Sequence, residues 1–277
     1  MANTRFLTLL LVLLLLSGCS LLPTEEDKTK NWSAQKFYSE ASLAMSDGDY
    51  DTAIKYYEGL ESRFPFGRYA MQAQLDVAYA YYKNSEPESS IAAADRFIKL
   101  HPRNPYVDYA YYLKGLVNFN RNLTFINRFV PTDTSQRDPG STLDAFNDFS
   151  ELVRRFPGSK YGEDARKRMV YLRNNLARHE VHVARYYMKR GAYLAAVKRG
   201  MAVVEKYQRT PSVKEAMTIM IEAYDKLGLE QLSADTRRVL ALNEAKWVIS
   251  QPTEEEIDKE DKSFGQAMWD YMELDKN

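Results

Sequence analysis

Residues 53–73 read AIKYYEGLESRFPFGRYAMQA, and the spacing within this stretch decides the fold. Its Pro, Tyr and Ala recur twice with the same separations: Pro65, Tyr69 and Ala73, then Pro102, Tyr106 and Ala110, then Pro157, Tyr161 and Ala165. An apolar pattern of helical period precedes each proline. A proline ends a helix, and small residues let two helices approach closely. The spacing therefore predicts stacked helix pairs rather than an irregular bundle.

Two further copies lack the proline but keep the small residues. The fourth contains Ala184, Gly191 and Ala196, and the fifth covers 213–243. This unit resembles the tetratricopeptide repeat, a helix-turn-helix of about 34 residues. The resemblance covers about residues 31–246 and implies an all-α tetratricopeptide-repeat superhelix of about five helix pairs. Gly191 and Gly48 are predicted to form tight turns between paired helices.

Two departures from the repeat predict extra features. The interval between the second and third prolines exceeds the first by 18 residues, which predicts an insertion around 120–141, between the two helices of the third repeat. No Gly or Pro interrupts 163–190. That stretch therefore predicts one long helix entering the fourth repeat.

The N-terminus predicts a lipid anchor. Arg5 precedes an apolar run, 6–16, that is too short to span a membrane comfortably. The following Leu-Ser-Gly-Cys, residues 16–19, resembles the bacterial lipobox, which implies a signal peptide at 1–18 and lipidation of Cys19. Ser20 in place of Asp implies the outer membrane. The alternative is a buried N-terminal helix with a chance cysteine.

Charge is balanced overall but uneven locally. With 38 basic and 38 acidic residues the chain has no net charge, which argues against a general nucleic-acid binder. Residues 154–209 carry a net charge of +11, whereas residues 253–277 carry −6. The tail at 251–277 is predicted to be mobile. Because Phe264, Met268, Trp269 and Met272 have helical spacing, docking on the basic repeats or on a partner is the alternative.

Catalytic signals are scarce. The sequence contains no nucleophile elbow, Walker loop or dinucleotide fingerprint, and its histidines are His101, His179 and His182. No acidic cluster completes a metal site around them. We therefore predict a non-enzyme with no catalytic residue, no metal and no cofactor apart from diacylglyceryl and acyl lipid on Cys19. An envelope hydrolase is the alternative that these observations disfavour.

Aromatic residues occupy positions that face the groove of a tetratricopeptide array. The positions counted within the first three units that we single out are Tyr38, Gln72, Tyr79, Tyr82, Tyr109, Tyr112 and Phe119. Tyrosine combines apolar area with a hydroxyl that can bond a peptide backbone, so this set predicts a peptide-binding groove. The alternative is that tyrosines fill the seams between repeats as core.

A closer resemblance covers most of the chain. RFPFGRY at 63–69, LDVAYAYYKN at 75–84, and the segments 95–104, 137–139 and 145–157 are similar to the BamD (ComL-like) family, lipoproteins of the β-barrel assembly machinery. This resemblance implies a scaffold that helps outer-membrane β-barrel proteins insert and fold. The implied partners are the periplasmic domain of BamA, other Bam lipoproteins, unfolded barrel substrates and, through the anchor, the outer membrane. A tetratricopeptide lipoprotein adaptor for cell-wall synthesis, pilus or secretion assembly is the alternative.

The same resemblance implies residue roles and a division of the chain. Phe64 and Tyr69 would join the groove, and the residues docking on BamA would be Arg185, Lys189, Arg199, Glu222 and Asp225. The predicted parts are the signal peptide 1–18, a lipidated tether 19–31, substrate-binding repeats 32–160, partner-docking repeats 161–250 and the acidic tail 251–277.

Overall fold

All the regular secondary structure in the described part of the chain is helical. The computed structural model describes residues 28–121, Ser135 and residues 139–243, and these contain no strand. The helices of this part are α1 Ala34–Asp47, α2 Tyr50–Arg63, α3 Arg68–Lys83, α4 Pro87–Leu100, α5 Val107–Asn120, α6 Gly140–Arg155, α7 Gly162–Lys189, α8 Tyr193–Lys206, α9 Ser212–Lys226 and α10 Glu230–Asn243. The all-α prediction is confirmed. The predicted signal peptide, Cys19 and the tail 251–277 lie outside the described residues.

Each helix packs on the next one along the chain, from α1 to α10. The first helices of neighbouring pairs also contact one another: α1 packs on α3, α3 packs on α5, and α7 packs on α9. We call these first helices the inner helices and their partners the outer helices. This arrangement is the tetratricopeptide-repeat superhelix with five helix pairs that the spacing predicted.

In the first, second, fourth and fifth pairs, the turn from inner to outer helix contains a left-handed residue. It is Gly48 with φ 76°, Ser85 with φ 63°, Gly191 with φ 69° and Gly228 with φ 70°. Glycine adopts this region freely, whereas other residues pay about 1–2 kcal/mol. The predicted turns at Gly48 and Gly191 are confirmed, and Ser85 carries the same turn without glycine.

The outer helices end in one repeated way. A ring-bearing residue follows the last turn and its backbone N–H donates to the carbonyl four residues earlier: Phe64 to Leu60, His101 to Phe97, Phe156 to Leu152 and Tyr207 to Val203. In the first three cases a proline comes next and prevents the helix from continuing. This ending explains the proline spacing in the sequence.

The insertion and the long helix lie where they were predicted. The gap between α5 and α6 separates the two helices of the third pair, and α7 spans 28 residues. Buried hydrophobic residues form one cluster up to Leu172 and a second from Ala177 onward, so α7 contributes to both. Most of the insertion lies outside the described residues, but Ser135 is buried and its carbonyl lies 2.8 Å from Nδ1 of His179 on α7.

Candidate functional site

The candidate groove residues fall into two groups by exposure. The buried group is Tyr38, Tyr79, Tyr109 and Tyr112, and the half-buried group is Phe64, Tyr69, Gln72, Tyr82 and Phe119. The buried rings pack within the chain itself. Only the half-buried group offers area to a ligand without rearrangement, and its contact with a ligand stays a prediction.

A buried carboxylate holds side chains on the first two inner helices, α1 and α3. Asp76 on α3 is 3% exposed and accepts hydrogen bonds from the Tyr38 hydroxyl and the Gln72 amide, both at 2.9 Å. Burial raises the pKa of the Tyr57 hydroxyl well above its usual range, and the charge of Asp76 adds to this shift. Asp76 thus fixes two candidate groove side chains, Tyr38 and Gln72. The sequence signal for this role is a lone acid within the apolar run at 75–81.

A second polar cluster joins the third and fourth repeats. Arg168 on α7 is completely buried, and its Nε donates to Asp164 at 2.7 Å. The Tyr112 hydroxyl donates to the same carboxylate oxygen, and the Arg168 guanidinium lies 4.8 Å from the centre of the Phe119 ring. Tyr112 also stacks on Tyr161 with ring centres 4.9 Å apart. Two candidate groove residues, Tyr112 and Phe119, are therefore held by an ion pair whose arginine is buried and whose carboxylate is half-buried.

The turn from α2 to α3 exposes an aromatic ring. Phe66 is 90% exposed, the largest exposed fraction among the large hydrophobic residues of the described chain. Beside it, the guanidinium of Arg68 lies over the Tyr69 ring at 4.8 Å, and Phe64 contacts Phe37 with ring centres 6.4 Å apart. Phe66 was not among the candidate groove residues, although the quoted stretch 53–73 contains it. Its signal is an apolar residue at a turn, flanked by proline and glycine.

The predicted docking residues lie on α7, α8 and α9. Lys189 and Glu222 are exposed. Arg185 on α7 forms an ion pair with Glu215 on α9, which ties the fourth repeat to the fifth.

The remaining two docking residues also have partners within the chain. Arg199 donates to Glu180 at 3.0 Å, and this hydrogen bond raises the pKa of the guanidinium. Asp225 accepts from the Ser233 hydroxyl at 2.7 Å and from Arg237 at 2.5 Å. Both bonds lower the pKa of Asp225, with Ser233 the stronger cause. A partner protein would therefore meet charges that are already oriented.

Two features of other classes of protein, a metal site and a membrane-spanning helix, are absent from the described residues. No group of three or more His, Cys, Asp or Glu side chains there could hold a metal ion. None of the helices in this part combines the length and the apolar character that crossing a bilayer requires.

Comparison with known proteins identifies the family. The model of an outer membrane lipoprotein family, YfiO, matches residues 30–240. The chain is 49% identical over 233 residues to a Neisseria meningitidis serogroup A protein named outer membrane protein assembly factor BamD, covering 83% of this chain and 87% of that one. The chain belongs to the BamD family of outer-membrane lipoproteins.

Other BamD relatives extend the match. The Vibrio cholerae BamD is 38% identical, covering 84% of this chain and 96% of its own. The Haemophilus influenzae BamD is 34% identical and covers 93% of this chain and 98% of its own. The resemblance to the BamD family seen in the sequence is thus confirmed.

Proposed function

We propose that this chain is a non-enzymatic scaffold of the β-barrel assembly machinery, which helps outer-membrane β-barrel proteins insert and fold. The observation that carries this proposal is its 49% identity, over most of both chains, to a protein named as an assembly factor. The superhelix of helix pairs supports the proposal, because such arrays present extended surfaces to other proteins.

The first residues of the sequence support a lipid anchor. Cleavage before Cys19 and lipidation of its thiol and amine would attach the chain to the periplasmic face of the outer membrane. From Cys19 to Lys28, where the described residues begin, an extended chain reaches at most about 30 Å. The first repeat would therefore work close to the membrane surface.

The two halves of the superhelix would serve different partners. The first three repeats would receive unfolded barrel substrate or an extended segment of another Bam lipoprotein, through the half-buried side chains around Tyr69 and Phe119. The exposed Phe66 extends this surface at its edge. The buried tyrosines would hold the surface in shape rather than contact the ligand.

The last two repeats would dock on the periplasmic domain of BamA. Their charges are oriented by pairs inside the chain, such as Arg199 with Glu180. Arg185 and Lys189 lie one helical turn apart and are both exposed, so they could meet an acidic surface together.

Depletion of the chain tests the function as a whole. We expect the folded, membrane-inserted fraction of β-barrel proteins to fall and unfolded barrel proteins to accumulate. If barrel proteins assembled normally while a cell-wall, pilus or secretion function failed, the adaptor alternative would replace this proposal.

Co-purification from solubilised outer membranes tests the docking half. Lys189→Glu is expected to reduce recovery of BamA, whereas Lys99→Glu, the same change at an exposed position on α4, serves as the matched control. Arg199→Glu alone also breaks a pair with Glu180, so it is compared with the swap Arg199→Glu with Glu180→Arg. Recovery restored by the swap would show that Arg199 acts only inside the chain. Loss in both would support contact with BamA.

A further inference from the structure

The last described helix leaves an apolar side uncovered. Only Ser233 of α10 is buried, whereas Leu232, Val239 and Leu242 are 46%, 43% and 71% exposed. Their separations of seven and three residues place them along one side of the helix. Leu240, on another side, packs against the second core cluster. We call Leu232, Val239 and Leu242 the α10 stripe.

The other end of the superhelix is covered by a tryptophan. Trp32 precedes α1, and its ring lies 5.2 Å from that of Phe37 on α1 and 5.0 Å from that of Tyr56 on α2. Terminal repeats of a solenoid lack a neighbour on one side and need a cover of this kind. Within the described chain no comparable aromatic residue covers α10.

The sequence after α10 contains a segment suited to this role. Phe264, Met268, Trp269 and Met272 have separations that place them on one side of a helix. Twenty residues lie between Asn243 and Phe264, enough to reach about 60 Å when extended. The 14-residue α10 is only about 21 Å long, so the segment can return to any point on it.

Charge favours the return of the segment. Residues 253–277 carry −6, and residues 154–209, which include all of α7 and α8, carry +11. The opposite charges draw the tail toward the fourth repeat, whose helices α7 and α8 pack on α9, the neighbour of α10. The two arginines of α10, Arg237 and Arg238, already pair with Asp225 and Asp235. The apolar contact, rather than these charges, therefore decides where on α10 the segment binds.

We propose that residues 264–272 dock on the α10 stripe and cover the C-terminal end of the superhelix. Trp269 covers this end as Trp32 covers the first. The occupant is this chain's own tail, and the proposal does not depend on the scaffold function.

Hydrogen–deuterium exchange of the full chain, purified in detergent without partners, tests the docking. The triple variant Leu232→Ser, Val239→Ser and Leu242→Ser removes the stripe. Because docking protects amides only while the segment is bound, we expect those of 264–272 to exchange at least about tenfold faster in this variant. The helices α1–α8 should exchange as in the wild type, which shows that the fold is retained.

Changes on both partners keep the test specific. The reciprocal variant Met268→Ser with Trp269→Ser should speed exchange in α10 without altering α1–α8. The control Leu43→Ser with Leu100→Ser changes two leucines that are 55% and 56% exposed on the first two repeats, and it should leave 264–272 protected. Exchange of 264–272 at the rate of an unfolded peptide in the wild type would overturn the proposal. Protection that rises with protein concentration would overturn it too, in favour of a second copy as the occupant.

Discussion

Replacing Gly115 with alanine tests how closely α5 and α6 approach. A Cβ at this position would lie 2.5, 2.6 and 2.9 Å from three atoms of the Phe149 ring. Carbon atoms in ordinary contact are about 3.5–4.0 Å apart, so the ring would have to move by about 1 Å.

The ring has little room to move. Phe149 is completely buried, and its ring centre lies 5.8 Å from that of Tyr112 and 6.5 Å from that of Phe119. Overpacking costs about 1–3 kcal/mol, and three contacts this short with a completely buried ring place this case in the upper part of that range, about 2–3 kcal/mol. Alanine returns up to about 1 kcal/mol because it favours the helix over glycine. We expect Gly115→Ala to lower the free energy of unfolding by about 1–2 kcal/mol. The Tm should then fall by about 2–8 °C.

Thermal unfolding followed by circular dichroism measures this change. Gly59→Ala is the matched control, because its Cβ would lie 3.0 Å from a single ring atom of Phe37, and we expect a much smaller effect. In the double variant Gly115→Ala with Phe149→Leu the smaller side chain makes room for the new methyl group. The double variant should therefore lose less stability than the two single changes added together. A Gly115→Ala protein as stable as the wild type, or strict additivity, would refute the reasoning.

Three further predictions concern buried charge, burial of phenols and an exposed ring. Arg168→Met leaves the Asp164 carboxylate without its cation, so the free energy of unfolding measured in urea should fall by about 3 kcal/mol. A fall of less than about 1 kcal/mol would contradict a structural role for the pair. Burial raises the pKa of Tyr57 and Tyr109, whereas unfolded tyrosines ionise near pH 10. The folded state thus favours the neutral phenols, and the urea midpoint should hold below about pH 10 and fall above it; a midpoint independent of alkaline pH argues against this. Phe66→Ser should change the free energy of unfolding by less than about 0.5 kcal/mol but reduce photo-crosslinking to an unfolded barrel protein, and undiminished crosslinking would exclude that ring from the binding surface.

The helix pairs could be predicted because their signals are local in sequence. A proline ends an outer helix directly after its ring-bearing last residue, as at Phe64 and Pro65. A glycine such as Gly191 supplies the positive φ that the next turn needs. The long α7 followed from the absence of both residue types over 163–190. Each of these inferences needs only a few neighbouring residues.

The polar clusters could not be predicted because their partners are distant in sequence. Asp76 bonds Tyr38, 38 residues away, and Asp164 bonds Tyr112, 52 residues away. A pattern within one repeat cannot show which side chains meet across two repeats. The turn at Ser85 escaped prediction for a different reason. Ser85 has a positive φ, but a serine in a sequence does not ordinarily indicate a positive φ.

Because most of the candidate tyrosines are buried, the surface open to a ligand is smaller than the sequence predicts. Counting positions within a repeat places a tyrosine on an inner helix, but the distance to the next repeat decides whether the ring is open. In the described residues these rings meet across the seams, as Tyr38 does with Tyr69 at 5.6 Å and Tyr109 with Tyr161 at 5.7 Å. Where these rings fill the contact between two repeats, they fix the curvature of the superhelix. A surface that already has its binding shape costs less free energy to bind an extended ligand. Exposed rings at the edge of the binding surface, such as Phe66, would then recognise the ligand. Such a ring can bury apolar area on binding without giving up contacts inside the protein.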